Sequence, residues 1–147
     1  MSASNPHADA LQKPLPVPDA DSAAFWAGLR DGRLLLQHCL ACAHVQVYQQ
    51  GICRNCGSER LEHRAASGRG RVYSYSVVHR APGPAFKADT PYAVLLVELA
   101  EGPRMISSLV GADPSTVAIG MAVELVCERV DDDVTLPRFR PAEADAS

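Results

Sequence analysis

The chain has 147 residues and a mass of 15.7 kDa, enough for one ordinary domain or two small ones. With 47% hydrophobic and 21% charged residues, wholesale disorder is excluded. A net charge of −3 argues against a dedicated nucleic-acid binder, which carries a basic excess to neutralise phosphates.

The charge is unevenly spread. From Arg54 to Arg80 six arginines face only Glu59 and Glu62, a local +4, while the remainder carries −7, most densely at Asp131, Asp132 and Asp133. Such a patch suits a small phosphorylated ligand better than a polyanion, or else is a solvated face with compensating charges.

Residues 1–20 hold Pro6, Pro14, Pro16 and Pro18 and few large apolar groups, which predicts a flexible arm. The start, MSASNPHADA, has no basic segment followed by an apolar stretch, and the longest aliphatic run, Ala93 to Val97, is far too short to cross a membrane. The expectation is a cytoplasmic protein with no membrane partner and reduced thiols. Residues 21–32 read as a short helix: Asp21 or Ser22 caps it, Phe25 and Leu29 share a face, and Gly32 suits a left-handed stop. Trp26, beside that stripe, is expected to anchor the helix to the body.

Residues 33–66 hold short extended pieces at 34–38, 45–48 and 61–65 around two cysteine pairs. Beyond the Ser67-Gly68 turn the pattern changes to strands. Residues 72–79 alternate, which would put Tyr73, Tyr75, Val77 and His79 on one face. Residues 92–100 are almost continuously apolar, as in a strand buried on both sides. Segments 104–110, 122–130 and 134–140 complete five strands, with a helical turn opening at Asp113-Pro114-Ser115 and a tail at 142–147. Five strands with short connections predict a small Greek-key barrel over 67–141, and the OB-fold is the natural candidate.

The cysteines carry the clearest chemistry. Cys39 and Cys42, then Cys53 and Cys56, form two C-x-x-C pairs separated by ten residues. Each pair turns as a knuckle that aims two sulfurs at one point, and a hairpin between them closes a four-sulfur cage suited to Zn²⁺. Iron is geometrically allowed in the same cage. Four protein ligands leave no open coordination position, so the metal would be structural and not a generator of hydroxide. His44 and Arg54 lie near enough in sequence to soften the charge, and Gly57 permits the turn that points N–H groups at sulfur. Cys127 alternates with Val123 and Leu125 and is expected to be a buried core thiol.

No G-x-S-x-G, Walker, H-E-x-x-H or G-x-G-x-x-G pattern is present. His79 has no acid beside it in its strand to orient it as a general base. The SGRGR stretch at 67–71 reads as a flexible basic turn. Residues 80–91, RAPGPAFKADTP, form a loop longer than a barrel needs, stiffened by prolines. Arg80 and Lys87 are candidates to meet phosphates and Phe86 to cover an adenine or acyl chain; Arg71 joins them as a candidate ligand contact.

The helix with FWAGLRDGRLLLQHC, the four-cysteine ribbon, SGRGRVYSYSVVHRAPGPAF, PYAVLLVELAEGPRMISSLVG and the late TLPRFRP together resemble the DUF35 family of zinc-ribbon/OB-fold proteins over about residues 21–141. The resemblance implies a mainly β chain: a flexible arm (1–20), an N-terminal helix (21–32), a rubredoxin-like zinc ribbon (33–66), a five-stranded OB-fold barrel (67–141) and a tail (142–147). It also implies zinc on Cys39, Cys42, Cys53 and Cys56. Its functional implication is a non-catalytic accessory subunit of a thiolase- or aldolase-type acyl-CoA enzyme that forms or breaks a C–C bond. Its partners would be that enzyme and coenzyme A or acyl-CoA, with the reacting groups on the partner chain. Two other readings stand beside it: a single-stranded nucleic-acid module, in which Tyr73 and Tyr75 would stack bases, and a standalone acyl-CoA-binding protein.

Overall fold

A computed structural model describes residues 13–142; the expected arm up to residue 12 and the tail from residue 143 lie outside the described residues. The first element is the helix α1 (Ala23–Arg30). Its entry differs from expectation: the Ser22 hydroxyl donates to Asp19 at 2.8 Å instead of capping the helix. Asp19 in turn accepts the Ser22 N–H, and these bonds hold its carboxyl below the usual aspartate range. The exit is as the sequence predicts, with Gly32 at φ +80° in the left-handed region that a side chain disfavours. Leu29 is fully buried, while Phe25 and Trp26 meet edge-to-face at 5.1 Å and stay partly exposed.

The ribbon is a three-stranded antiparallel sheet in the order β2-β1-β3, with β1 (Leu35–Cys39), β2 (Val45–Gln46) and β3 (Leu61–Ala65). Leu36 and Val47 are buried beside Leu34 and join the core of the whole chain. The second sheet holds β4 (Arg69–Val78), β5 (Tyr92–Leu99), β6 (Arg104–Ser108), β7 (Ala122–Arg129) and β8 (Thr135–Pro141) in the order β6-β5-β4-β7-β8. Its ends nearly meet. Leu109 bridges Phe139, Val110 N–H donates to Phe139 O at 2.8 Å, and the Ser107 hydroxyl donates to Pro137 O at 2.7 Å. Pro137 has no N–H to offer an adjoining strand, so a serine hydroxyl bridges where a ladder would otherwise run. The result is the mainly β architecture expected: helix, zinc ribbon and a nearly closed five-stranded OB-fold barrel.

Several local expectations are corrected. Strand β5 is not buried on both sides: Ala93, Leu95, Val97 and Leu99 face the core, while Tyr92, Val94 and Leu96 are partly exposed. Among the described residues no layer packs over its apolar outer face. Tyr73 and Tyr75 do not share a face. A bulge between Val72 and Ser74 adds one residue, so Val72 pairs with Val97 and Tyr75 with Leu95 on the inner side. Tyr73 is left outside, stacked at 3.6 Å under the Arg104 guanidinium. The base-stacking pair of the nucleic-acid reading therefore does not form. His79 falls just past the end of β4, Arg69 to Arg71 belong to that strand and not to a turn, and residues 84–89 form a 3-10 helix inside the expected loop. Cys127 is partly buried against the core, where desolvation pushes its thiol up.

Candidate metal centre and barrel groove

The two knuckles are near copies of one another. Ala43 N–H donates to Cys39 O and Gly57 N–H to Cys53 O, each at 2.9 Å. Cys39 N–H donates to His44 O at 2.9 Å and Cys53 N–H to Ser58 O at 2.8 Å. Both turns pass through the left-handed region after their second cysteine, at Gly57 (φ +79°) and at Ala43 (φ +66°), the single described non-glycine residue with positive φ. The sequence reading found the glycine and missed its alanine counterpart.

The four sulfurs all lie within 4.8 Å of one another, with Cys39–Cys56 and Cys42–Cys53 separations of 3.6 Å. A tetrahedral zinc with bonds of about 2.3 Å needs sulfurs about 3.8 Å apart, so the cage fits the ion. Cys39 and Cys53 are buried, and Cys42 and Cys56 are exposed. Two of the sulfurs accept hydrogen bonds from Asn55. Its carboxamide donates to Cys42 Sγ at 3.5 Å and its backbone N–H to Cys53 Sγ at 3.3 Å, whereas the Arg54 backbone N–H goes to Gln46. The Asn55 carboxamide and the His44 backbone N–H hold the Cys42 thiol down at about 6. Cys56 receives a bond from the Ser58 backbone that lowers it, yet its sulfur neighbours and desolvation push it up to about 12. Four sulfurs packed this closely make a site that suits a cation held among them.

The second feature is a groove of about 960 Å³ where the barrel's open seam meets the ribbon and helix. Its walls are Phe25 and Trp26 from α1, Val47 and Tyr48 from the segment after β2, and Ile106 and Leu136 from the barrel. Ile106 is 63% exposed and Tyr48 51% exposed, high values for such side chains in a folded protein. The polar groups of the groove are engaged with one another. Arg138 reaches Ser108 Oγ at 2.6 Å and Glu128 at 3.7 Å, and the Ser107 hydroxyl is bound to Pro137 O.

The four candidate ligand residues are not brought together. Phe86 lines this groove, joined by Lys13, which lies 5.9 Å over its ring and is paired with Asp89. Arg71 lines a separate concavity with Glu98, Glu124 and Arg140, and its guanidinium donates to Gly120 O at 3.1 Å. Arg80 and Lys87 line neither. Lys13, Tyr48 and Ile106 were invisible as site residues in the sequence, because nothing in an arm, a knuckle loop and an edge strand announces that they converge.

Comparison with known proteins agrees with this geometry. The family described as "ChsH2, rubredoxin-like zinc ribbon domain" matches residues 26–62, and "ChsH2, C-terminal OB-fold domain" matches residues 63–128. A probable enoyl-CoA hydratase alpha subunit of Thermomonospora curvata is 42% identical over 130 residues, 88% of this chain. The chain spans only 40% of that relative's length. A DUF35 domain-containing scaffold protein of Methanothermobacter thermautotrophicus is 41% identical over 96 residues, 65% of this chain and 71% of the relative. A solved structure titled Ltp2-ChsH2(DUF35) aldolase superposes with a TM-score of 0.77 at 41% identity, covering 86% of this chain and 98% of the matched one.

Proposed function

The chain belongs to the ChsH2-type DUF35 family of zinc-ribbon/OB-fold proteins, and from that premise we propose that it is an accessory subunit of an acyl-CoA-processing complex. In this reading Cys39, Cys42, Cys53 and Cys56 hold a structural Zn²⁺ that closes the ribbon. The catalytic groups reside on a partner of aldolase, thiolase or hydratase type, and this chain completes the partner's fold and helps to seat the acyl-CoA. The relatives support the class of partner: one is part of a hydratase and another is titled as part of an aldolase.

The observation that carries the proposal is the groove itself. It is wide, apolar and open, its serines and its Arg138–Glu128 pair are bonded among themselves, and Phe86 with Lys13 stands at one wall. Such a surface is built to bind, with apolar area for an acyl or pantetheine chain and for a neighbouring subunit.

Affinity capture on the full-length chain from a native extract tests the reading. We expect recovery of an acyl-CoA enzyme subunit whose activity and solubility depend on this chain, and no turnover of acyl-CoA by this chain alone. Turnover by the purified chain would overturn it. Within the captured complex, Phe86→Ala should weaken acyl-CoA binding several-fold, and Arg71→Ala, from the other concavity, should weaken it less.

A further inference from the structure

The ten residues between Cys42 and Cys53 do two jobs at once. Both ends of the segment lie in the sulfur cage, while its middle, Val47 to Gln49, forms a wall of the groove. Tyr48 reaches from that wall to the barrel, where its hydroxyl oxygen accepts the Ile106 N–H at 3.1 Å. Ile106 lies in β6, an outermost strand of the barrel sheet, so this N–H has no strand to pair with on that side.

The segment is also braced internally. Gln37 and Gln46, each 4% exposed, form a closed amide network. Gln46 accepts the Arg54 N–H at 3.0 Å, next to the ligand Cys53, and donates to Ile52 O and to Gln37 Oε1. Gln37 accepts the Gln50 N–H at 3.0 Å and donates to Gln50 O at 2.9 Å, two residues from Tyr48. Gln49 adds bonds to Leu35 O and to His63. Every polar atom of the two buried amides is used, so a shift at one end is passed along and not absorbed.

We infer that metal loading of the ribbon sets the shape of the barrel groove, with Tyr48 as the positioning residue that links the Cys42–Cys53 segment to the free edge of β6. The zinc then does more than close a small subdomain: it holds one wall of the binding groove in place and keeps the β6 edge covered. Without the ion, the segment loses the closure at both ends, Tyr48 withdraws, and β6 presents an open edge beside a widened groove. The inference rests on zinc being held by the four cysteines, but it does not depend on what the groove binds.

Hydrogen exchange on the full-length chain, read amide by amide with metal content measured in parallel, tests it. In zinc-loaded Tyr48→Phe, the Ile106 amide should exchange about three- to tenfold faster, the range expected for one lost hydrogen bond. The amides of Leu95 and Cys53 should not change, and the zinc content should stay at that of the wild type. In the wild type, a strong chelator should release the Gln50 amide, which is bonded to Gln37, together with that of Ile106, shift the fluorescence of Trp26 in the groove, and leave Leu95 and Val97 protected; added Zn²⁺ should reverse the release and the fluorescence shift. An Ile106 amide indifferent to Tyr48→Phe would overturn the role of Tyr48. Ribbon release with Ile106 and Trp26 unmoved would overturn the coupling, as would loss of Leu95 protection, since the ion would then hold the whole barrel. A chain that never carries metal, yet protects Ile106, would overturn both the coupling and the zinc assignment, and the metal measurement identifies that outcome.

Discussion

Replacing Ala43 by glycine should stabilise the ribbon, an unusual direction for a substitution that adds backbone freedom. Ala43 sits at φ +66°, where an L-residue is strained by about 1–2 kcal/mol because its Cβ crowds the carbonyl oxygen. Glycine removes that strain but costs about 0.5–1 kcal/mol in extra freedom of the unfolded chain. The difference leaves a net gain of about 0.5–1 kcal/mol. The companion turn supplies the control, because Gly57 adopts φ +79° and a Cβ built there meets nothing within 4 Å. Gly57→Ala therefore has only the backbone penalty to show, and it should lose what Ala43→Gly gains. Ribbon folding and metal binding are one event, so both effects should appear in the rate and equilibrium of zinc transfer to a chromophoric chelator. We expect zinc retention about two- to fivefold better in Ala43→Gly and worse by a similar factor in Gly57→Ala. If Ala43→Gly weakened retention, or the two variants moved in the same direction, the account of the paired knuckles would be wrong.

Three further outcomes are expected. Cys53→Ser should abolish stoichiometric zinc, measured by atomic absorption after gel filtration, because Cys53 is a buried corner of the cage and also accepts the Asn55 N–H. Gly70→Ala should destabilise by roughly 1–3 kcal/mol in urea unfolding, since its Cβ would stand 2.7 Å from both Glu98 O and Val97 Cγ1, and the main-chain atom cannot yield cheaply. Asp113→Ala should lower the Tm at neutral pH by removing the bonds from the Ser115 N–H and hydroxyl to its carboxylate. Those bonds hold Asp113 below the ordinary value of 3.8, so its stabilisation is present above that value and lost as pH falls through the depressed one. The Tm gap between wild type and variant should therefore close in scans run below about pH 3.8.

The parts legible in the sequence were those fixed by local chemistry. Two C-x-x-C pairs announce a cage because each knuckle is made by five or six consecutive residues, and the hairpin between them needs only to turn back. The helical turn opening at Asp113-Pro114-Ser115 and the left-handed stop at Gly32 are similarly local, and both formed. What misled was alternation. A run such as Val72 to His79 has a period of two only if no residue is inserted, and the bulge at Tyr73 exchanged the faces of everything after it. No residue type in that stretch signals a bulge, since the glycine that often marks one is at Gly70 and not at Tyr73. The apolar run of β5 misled for a different reason. Its outer residues Tyr92 and Val94 line a groove and Leu96 stays partly exposed, and composition does not separate that from burial under a second layer.

The same distinction explains why the candidate ligand residues were only partly gathered. A search by residue type favours charge and aromaticity in one loop, and so it selected Arg80, Phe86 and Lys87 together. In the fold, a 3-10 helix at 84–89 turns Phe86 toward the groove, and the cation beside its ring is Lys13, some seventy positions earlier in the chain. The groove is assembled from α1, the cysteine loop, the 3-10 helix, strands on both sides of the barrel seam and Lys13 well before them, segments of which none is a binding motif alone. Its existence follows from a topological fact: five strands nearly close, and the last step between β6 and β8 is made by Ser107 and Pro137 and not by a ladder. An incompletely closed barrel must have its open edge covered, and here the ribbon covers it with Tyr48. That places the four-cysteine ribbon against the barrel's open edge, and it gives a physical reason for a zinc ribbon and an OB-fold to be carried on one chain.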